Sequence, residues 1–239
     1  MGTPARFLSG ISTARYGTNL GNLPLLDPTD LCVDFEDFNQ YVAGDWTVTN
    51  TTSHATIDLV AASATIPQGG VLGLVGGASS VSTDVAAVQA TPLNLYFSST
   101  NEVWFYAHLK LDVALNNQII LGVASSVATA APTDGMYFAK AAGAATVDFV
   151  VRKSSTSTTA TTVATLADMT DVELGFYYNG KDSVDVFVNE AKVYSQTTLT
   201  NLPTAVAMAP ALCMKLAATA PTTAAAYTDF ILMANSRAF

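Results

Sequence analysis

Charge is scarce in this sequence: only 12% of its 239 residues are Asp, Glu, Lys or Arg, against roughly 25% in an ordinary soluble domain. Basic residues are scarcer still, with ten Lys and Arg against nineteen acids and a net charge of -9, and the ten are scattered along the chain. A surface that grips phosphate needs them clustered, so nucleic acid is excluded as a partner. Two histidines, His54 and His108, and two cysteines, Cys32 and Cys213, give little material for metal ligation or nucleophilic catalysis. Neither cysteine has a C-x-x-C neighbour, so both are expected as buried free thiols, with a bridge between terminal strands as the alternative. No apolar run approaches the roughly 18 residues of a membrane span. The opening MGTPARFLSGISTARYG has no continuous apolar stretch, so no secretory signal is read in it and no membrane partner is expected. Catalytic signatures are missing as well. There is no G-x-S-x-G elbow, no D-x-[DN]-x-[DN]-G calcium loop, and the Gly-rich GGVLGLVGG at 69–77 fits no phosphate loop. No cofactor is expected.

Helical periodicity longer than a turn or two is also lacking, and alternation with a period of two takes its place. In 172–178, Val172, Leu174, Phe176 and Tyr178 alternate with Glu173, Gly175 and Tyr177, which makes one face apolar. Asn179-Gly180 then offers a type I′ reversal, 183–188 resumes the alternation, Asn189 to Ala191 reverses again, and 192–196 returns. That segment reads as a three-stranded antiparallel meander. Strands are expected likewise at 33–38, 46–50, 55–60, 85–90, 93–97, 102–111, 118–124, 136–139, 146–152, 205–217 and 227–234, and the Gly-rich 69–77 reads as a bulged strand. The Ser/Thr tract 154–162 suits an exposed hairpin or edge. So many short strands predict an all-β fold, a two-sheet antiparallel sandwich, spanning 32–239 as one domain.

Residues 1–31 differ. No acid precedes Asp27, Arg6 and Arg15 are the only charges before it, and Phe7, Leu8, Ile11, Tyr16 and Leu20 are too apolar for a solvated tail. An extended arm lying in a groove of a neighbouring protein is expected, drawn to an acidic surface. Arg6, Phe7, Arg15 and Tyr16 are its candidate contacts, and a disordered terminus is the alternative.

Two pairs of acids share a strand face, Asp171 with Glu173 and Asp34 with Glu36, at about 7 Å along the backbone. This is hydrolase-like spacing, but any alternating strand with a polar face yields it, and solvated surface acids are expected. Asp182 with Asp185 and Asp168 with Asp171 are the corresponding thoughts for calcium, again with surface charge as the expectation. The more informative row is Trp104, Tyr106, His108 and Lys110 on one side of 102–111. Such rings stack on sugars and on proteins equally well, so a glycan face, intersheet packing and a subunit interface all remain open.

The phrases FEDFNQYVAGDW (35–46), VWFYAHLKL (103–111), DGMYFAK (134–140), AATVDFVVRK (144–153) and LGFYYNGKDSVDVFVNEAKV (174–193) resemble a group of tailed-phage virion proteins, as does the G-N-x-x-x-x-D-P phrase at 21–28. The resemblance implies a concanavalin A-like, lectin/glucanase jelly roll used as a capsid decoration, or cement, protein. It implies a non-enzymatic role on the outer capsid surface, with the major capsid protein and the chain itself, as a homotrimer, for partners, after synthesis in the host cytoplasm. Nothing matches the E-x-D-x-E strand of the fold's glucanase branch, and the metal cluster of its legume-lectin branch cannot be placed. A host-glycan adhesin using Trp104, Tyr106 and His108, in a head or tail fibre, is the second expectation. A polysaccharide hydrolase dependent on Glu173 is the third.

Overall fold

A computed structural model describes residues 31–50, 55–60, 70–76, 84–216 and 224–237. Among them are sixteen strands and one short 3-10 turn, Ala43–Asp45. In chain order the strands are β1 Leu31–Glu36, β2 Trp46–Asn50, β3 Ala55–Val60, β4 Val71–Gly76, β5 Val85–Ala90, β6 Val103–Leu111, β7 Asn117–Ala124 and β8 Gly135–Lys140. They continue with β9 Thr146–Lys153, β10 Thr156–Thr165, β11 Asp171–Tyr178, β12 Val184–Val188, β13 Ala191–Gln196, β14 Ala209–Leu216, β15 Ala225–Thr228 and β16 Ile231–Ser236. All pairings are antiparallel. One sheet runs β10-β9-β8-β7-β14-β5-β2; the other runs β13-β12-β11-β6-β15-β4-β3, with β16 also against β6 and β1 against β16. The fold is the expected all-β sandwich of two antiparallel sheets.

Alternation decides which side chains fill the space between the sheets. From β6, Val103, Phe105, Ala107, Leu109 and Leu111 point inward with Leu174 and Phe176 of β11, and meet Phe138 and Phe149 of the other sheet. Phe105 and Phe176 stack at 5.2 Å, and Phe149 lies 5.6 Å from Phe176 across the core. Burying each such ring contributes about 1.5–3 kcal/mol, which offsets the ordering of these strands.

The meander at 171–196 is as expected, but its two turns exchange character. Asn179-Gly180 is not a two-residue turn. The reversal spans 179–183, with the Asn179 side-chain oxygen accepting the N–H groups of Lys181, Asp182 and Ser183, and Gly180, at φ +69°, sits so close to the Asn101 backbone that a Cβ would fall 2.9 Å from its oxygen. The two-residue turn is Asn189-Glu190, at φ 48° and 67°, closing Val188 against Ala191. Ser154-Ser155 makes another such turn between β9 and β10, at φ 47° and 67°. Serine tolerates this conformation poorly; here the Asp134 carboxylate accepts the Ser154 N–H and the Thr133 carbonyl accepts that of Ser155.

Two other expectations change. The segment 93–97 is not a strand; after Pro92 it forms one bridge, Leu95 to Met208, though Leu95 and Phe97 are fully buried. The expected strand 227–234 is two strands, since the chain leaves β4 and β6 after Thr228 and re-pairs with β1 and β6 from Ile231. The cysteines are free: Cys32 is half-buried on β1, and Cys213 is buried on β14 in the opposite sheet. Burial pushes the Cys213 thiol up to about 12. The tract expected as an edge is one, because β10 is the outer strand of its sheet. The arm residues Arg6, Phe7, Arg15 and Tyr16, and His54, lie outside the described residues, and Leu31 already belongs to β1.

Candidate functional site

The row Trp104, Tyr106, His108, Lys110 faces away from the space between the sheets. It therefore does not pack between them, yet Trp104 and Tyr106 are only 7% and 5% exposed. A second apolar layer covers them on the outer face of the nine-stranded sheet, made with Leu31, Phe187, Leu232 and Ala234. Register explains the contacts. Trp104 stands opposite Tyr177 of β11, and the two rings stack at 5.2 Å with planes 23° apart. The Tyr177 hydroxyl donates to Glu102, and burial with that carboxylate beside it pushes the phenol well above its ordinary value. Tyr106 stands opposite Gly175, which has no side chain, and its hydroxyl reaches diagonally to donate to Glu173.

His108 and Lys110 converge on Asp171, at 2.9 and 3.2 Å. The Asp229 N–H donates to His108 Nδ1 at 3.2 Å, which makes Nδ1 the acceptor and leaves Nε2 to donate to Asp171. Burial alone would raise the Asp171 carboxyl, but the hydrogen bonds from His108 and Lys110, with the Lys110 charge, outweigh it and hold Asp171 below its ordinary value. Both expected strand acids are therefore engaged: Asp171 by a histidine and a lysine, Glu173 by a phenol and, through its own N–H, by the Asn189 side chain.

The other acid pair does not join them. Asp34 and Glu36 project to the opposite side of their sheet at its margin, since Asp34 pairs with the core residue Met233; burial raises both carboxyls. Asp168 accepts the Ala114 N–H, Asp182 accepts from Asn179, and Asp185 accepts from Ser195 and Lys192. Among the described residues no group of three or more His, Cys, Asp or Glu side chains is placed to hold a metal ion.

Two residues that sequence reasoning did not single out complete the face. Phe230 fills the gap where β15 gives way to β16 and lies 5.4 Å from Tyr106, 6.4 Å from His108 and 6.4 Å from Phe35. Phe35, on β1, is 54% exposed. With Leu232 between them, these side chains line a concavity of about 160 Å³ running across β6, β16 and β1. The only sequence signal for it is the polar Thr228-Asp229 interruption in an otherwise apolar closing segment.

A search of curated proteins finds no match. Among solved structures, the protein SO2946 from Shewanella oneidensis MR-1, of unknown function, superposes with a TM-score of 0.62 at 16% identity, over 88% of this chain and 90% of that one. An endo-1,3-beta-glucanase from Streptomyces sioyaensis gives 0.60 at 9% identity over 86% and 96%. The beta-glucanase of Bacillus licheniformis gives 0.57 at 12% over 87% and 98%. At such identities the likeness is one of fold, the concanavalin A-like jelly roll. The SO2946-like, C-terminal domain family model matches residues 68–231, and the chain belongs to that family.

Proposed function

We propose that the chain is a non-enzymatic virion structural protein that decorates the outer surface of a tailed-phage capsid, held there by its N-terminal arm and by contacts with the major capsid protein and with further copies of itself. The observation that carries the non-enzymatic part is the engagement of the outer-face acids. Asp171 and Glu173 are each tied to neighbouring side chains on the same sheet, so neither is left free as an acid or base facing the other. A glycosidase needs one carboxyl poised as acid and another at a set distance from it with room for a sugar. Support for the virion part comes from the phrases at 35–46, 103–111 and 174–193 and from a surface with few charges, which suits partial burial against other subunits.

Decoration would act by added buried area. At about 25 cal/mol per Å² of apolar surface, a modest interface repeated over a lattice sums to a large stabilisation, less the association cost of each copy. The experiment is to mix the purified protein with capsids from the virus that carries its gene, made with that gene deleted, and to measure occupancy. Saturable binding and a raised capsid melting temperature are expected. Absence of binding at micromolar concentration would refute decoration.

A second reading, a glycan-binding module on the virion, is favoured by the concavity between Phe35 and Phe230, whose rings could stack on a sugar. Trp104, stacked under Tyr177 and 7% exposed, is not the ring such a module would use. Binding of oligosaccharides that disappears in Phe35→Ser, with folding retained, would favour this reading.

A further inference from the structure

The concavity on the outer face is apolar, open and sized for one ring. Its volume of about 160 Å³ is close to that of an engineered cavity of about 150 Å³ that takes up benzene. Its lining comes from Phe35, Tyr106, Phe230 and Leu232, and the one polar atom among those side chains, the Tyr106 hydroxyl, already donates to Glu173. The rim is acidic. Asp229 adjoins Phe230 and Asp37 lies two residues beyond Phe35. Burial raises the Asp229 carboxyl, His108 opposes that, and Asp37 and Asp171 are near enough to raise it further. The nearby basic groups are committed: Lys110 and His108 both point to Asp171. The site therefore asks for an aromatic ring with a cation next to it.

The chain carries that combination in the residues that precede β1. Arg6-Phe7 and Arg15-Tyr16 are each a guanidinium beside a ring, in a stretch with no acid before Asp27. That stretch enters the fold at Leu31, on the strand that also bears Phe35 and on the same face of it. We propose that Phe7 of the chain's own N-terminal arm fills the concavity, with Arg6 paired to the acidic rim of Asp37 and Asp229. Phe7 is preferred to Tyr16 because the lining is apolar and its one polar atom is already engaged, which suits a ring without a hydroxyl. Twenty-three residues lie between Phe7 and Leu31, which is ample, since an extended residue covers about 3.3 Å and the cost of closing the longer loop grows only logarithmically. Tethering also gives the arm a high effective concentration at the site. The seat does not depend on the capsid reading. If that reading holds, a capsid partner would draw the arm from its own body, and a glycan would have to displace it.

The test is nuclear magnetic resonance on the full-length chain, methyl-labelled at leucine with protonated phenylalanine. An Overhauser contact between the Leu232 methyls and the Phe7 ring is expected, and it should vanish in Phe7→Ala. Arg6→Glu should reduce the ratio of seated to free arm about fivefold, the effect of reversing one exposed charge pair. Arg15→Glu should not. A folded spectrum without the contact, or a contact that survives Phe7→Ala, would overturn the proposal. So would a contact seen only between differently labelled chains in a mixed sample, which would make a second copy the occupant. An Arg6→Glu variant as fully seated as the wild type would remove the acidic rim from the account.

Discussion

Trp104 and Tyr177 stack on the outer face of the nine-stranded sheet, ring centroids 5.2 Å apart, beside the concavity and outside the space between the sheets. The stack makes Trp104 a structural residue. Trp104→Ala is expected to lower stability by about 3–5 kcal/mol, the usual cost of removing a buried large aromatic, as read by chemical denaturation. A loss below about 1 kcal/mol would mean that the outer layer collapses readily around the gap, and Trp104 would again be available for a ligand.

Asp171 sets an acid-side expectation. Its folded carboxyl lies below the ordinary value of 3.8, so its contribution is present above that value and disappears as pH falls through the lower folded one. The side chain is 61% exposed, so solvent screening holds the contribution to under about 1 kcal/mol. In urea melts, the wild type should lose its small advantage over Asp171→Asn as pH drops below 4. An advantage that persists at pH 2 would rule out the ion pairs as its origin.

Lys140 works in the opposite direction. It is 2% exposed, with its ammonium donating to the Asn117 and Ala141 carbonyls, and burial lowers it from 10.5 to about 8. Because the unfolded chain binds the proton more tightly, stability should rise between pH 8 and 10.5 by on the order of 2 kcal/mol. The measured quantity is the difference between wild type and Lys140→Met across that range, which cancels other titrating groups. A flat difference would show that the ammonium is solvated by water entering from the sheet end.

Glu190 is the second residue of a two-residue turn at φ 67°, a conformation that costs a side-chain-bearing residue about 1 kcal/mol. Glu190→Gly restores the pair such turns favour and should raise stability by about 0.5–1 kcal/mol. A decrease in the melting temperature would indicate that the turn does not set the register of β12 against β13.

Most of the strands were legible because a sandwich with one core imposes a period of two, as in β6 and β11, where each inward residue is apolar. What was not legible lies where that rule is inverted. In β1 the apolar Leu31, Val33 and Phe35 face outward while Asp34 and Glu36 take the other side at the sheet margin, so periodicity would place Phe35 in the core. Phe230 was hidden because 227–234 alternates well enough to pass for one strand; the break arises from pairing, with the Thr228 hydroxyl donating to the His108 carbonyl and the His108 N–H donating to that of Phe230. The row Trp104, Tyr106, His108 was found from sequence, but its burial was not, since cover by Tyr177 and Phe187 depends on the strand order β12-β11-β6. Asn179-Gly180 misled for a related reason. The Asn179 side chain gathers three N–H groups and so favours a longer loop than the dipeptide alone suggests.

The fork at Asp229 governs how force would travel through the body. β6 carries two flaps along the edge that faces away from β11, β16-β1 against its residues 103–107 and β15-β4-β3 against Lys110 and Leu111. A pull on residues before Leu31 enters at β1, passes to β16 and then to β6, while β15, β4 and β3 lie off that line. Under load β1 would peel from β16 one hydrogen-bonded pair at a time, from Leu31 opposite Ser236 towards Glu36 opposite Ile231, and the other flap would keep its shape.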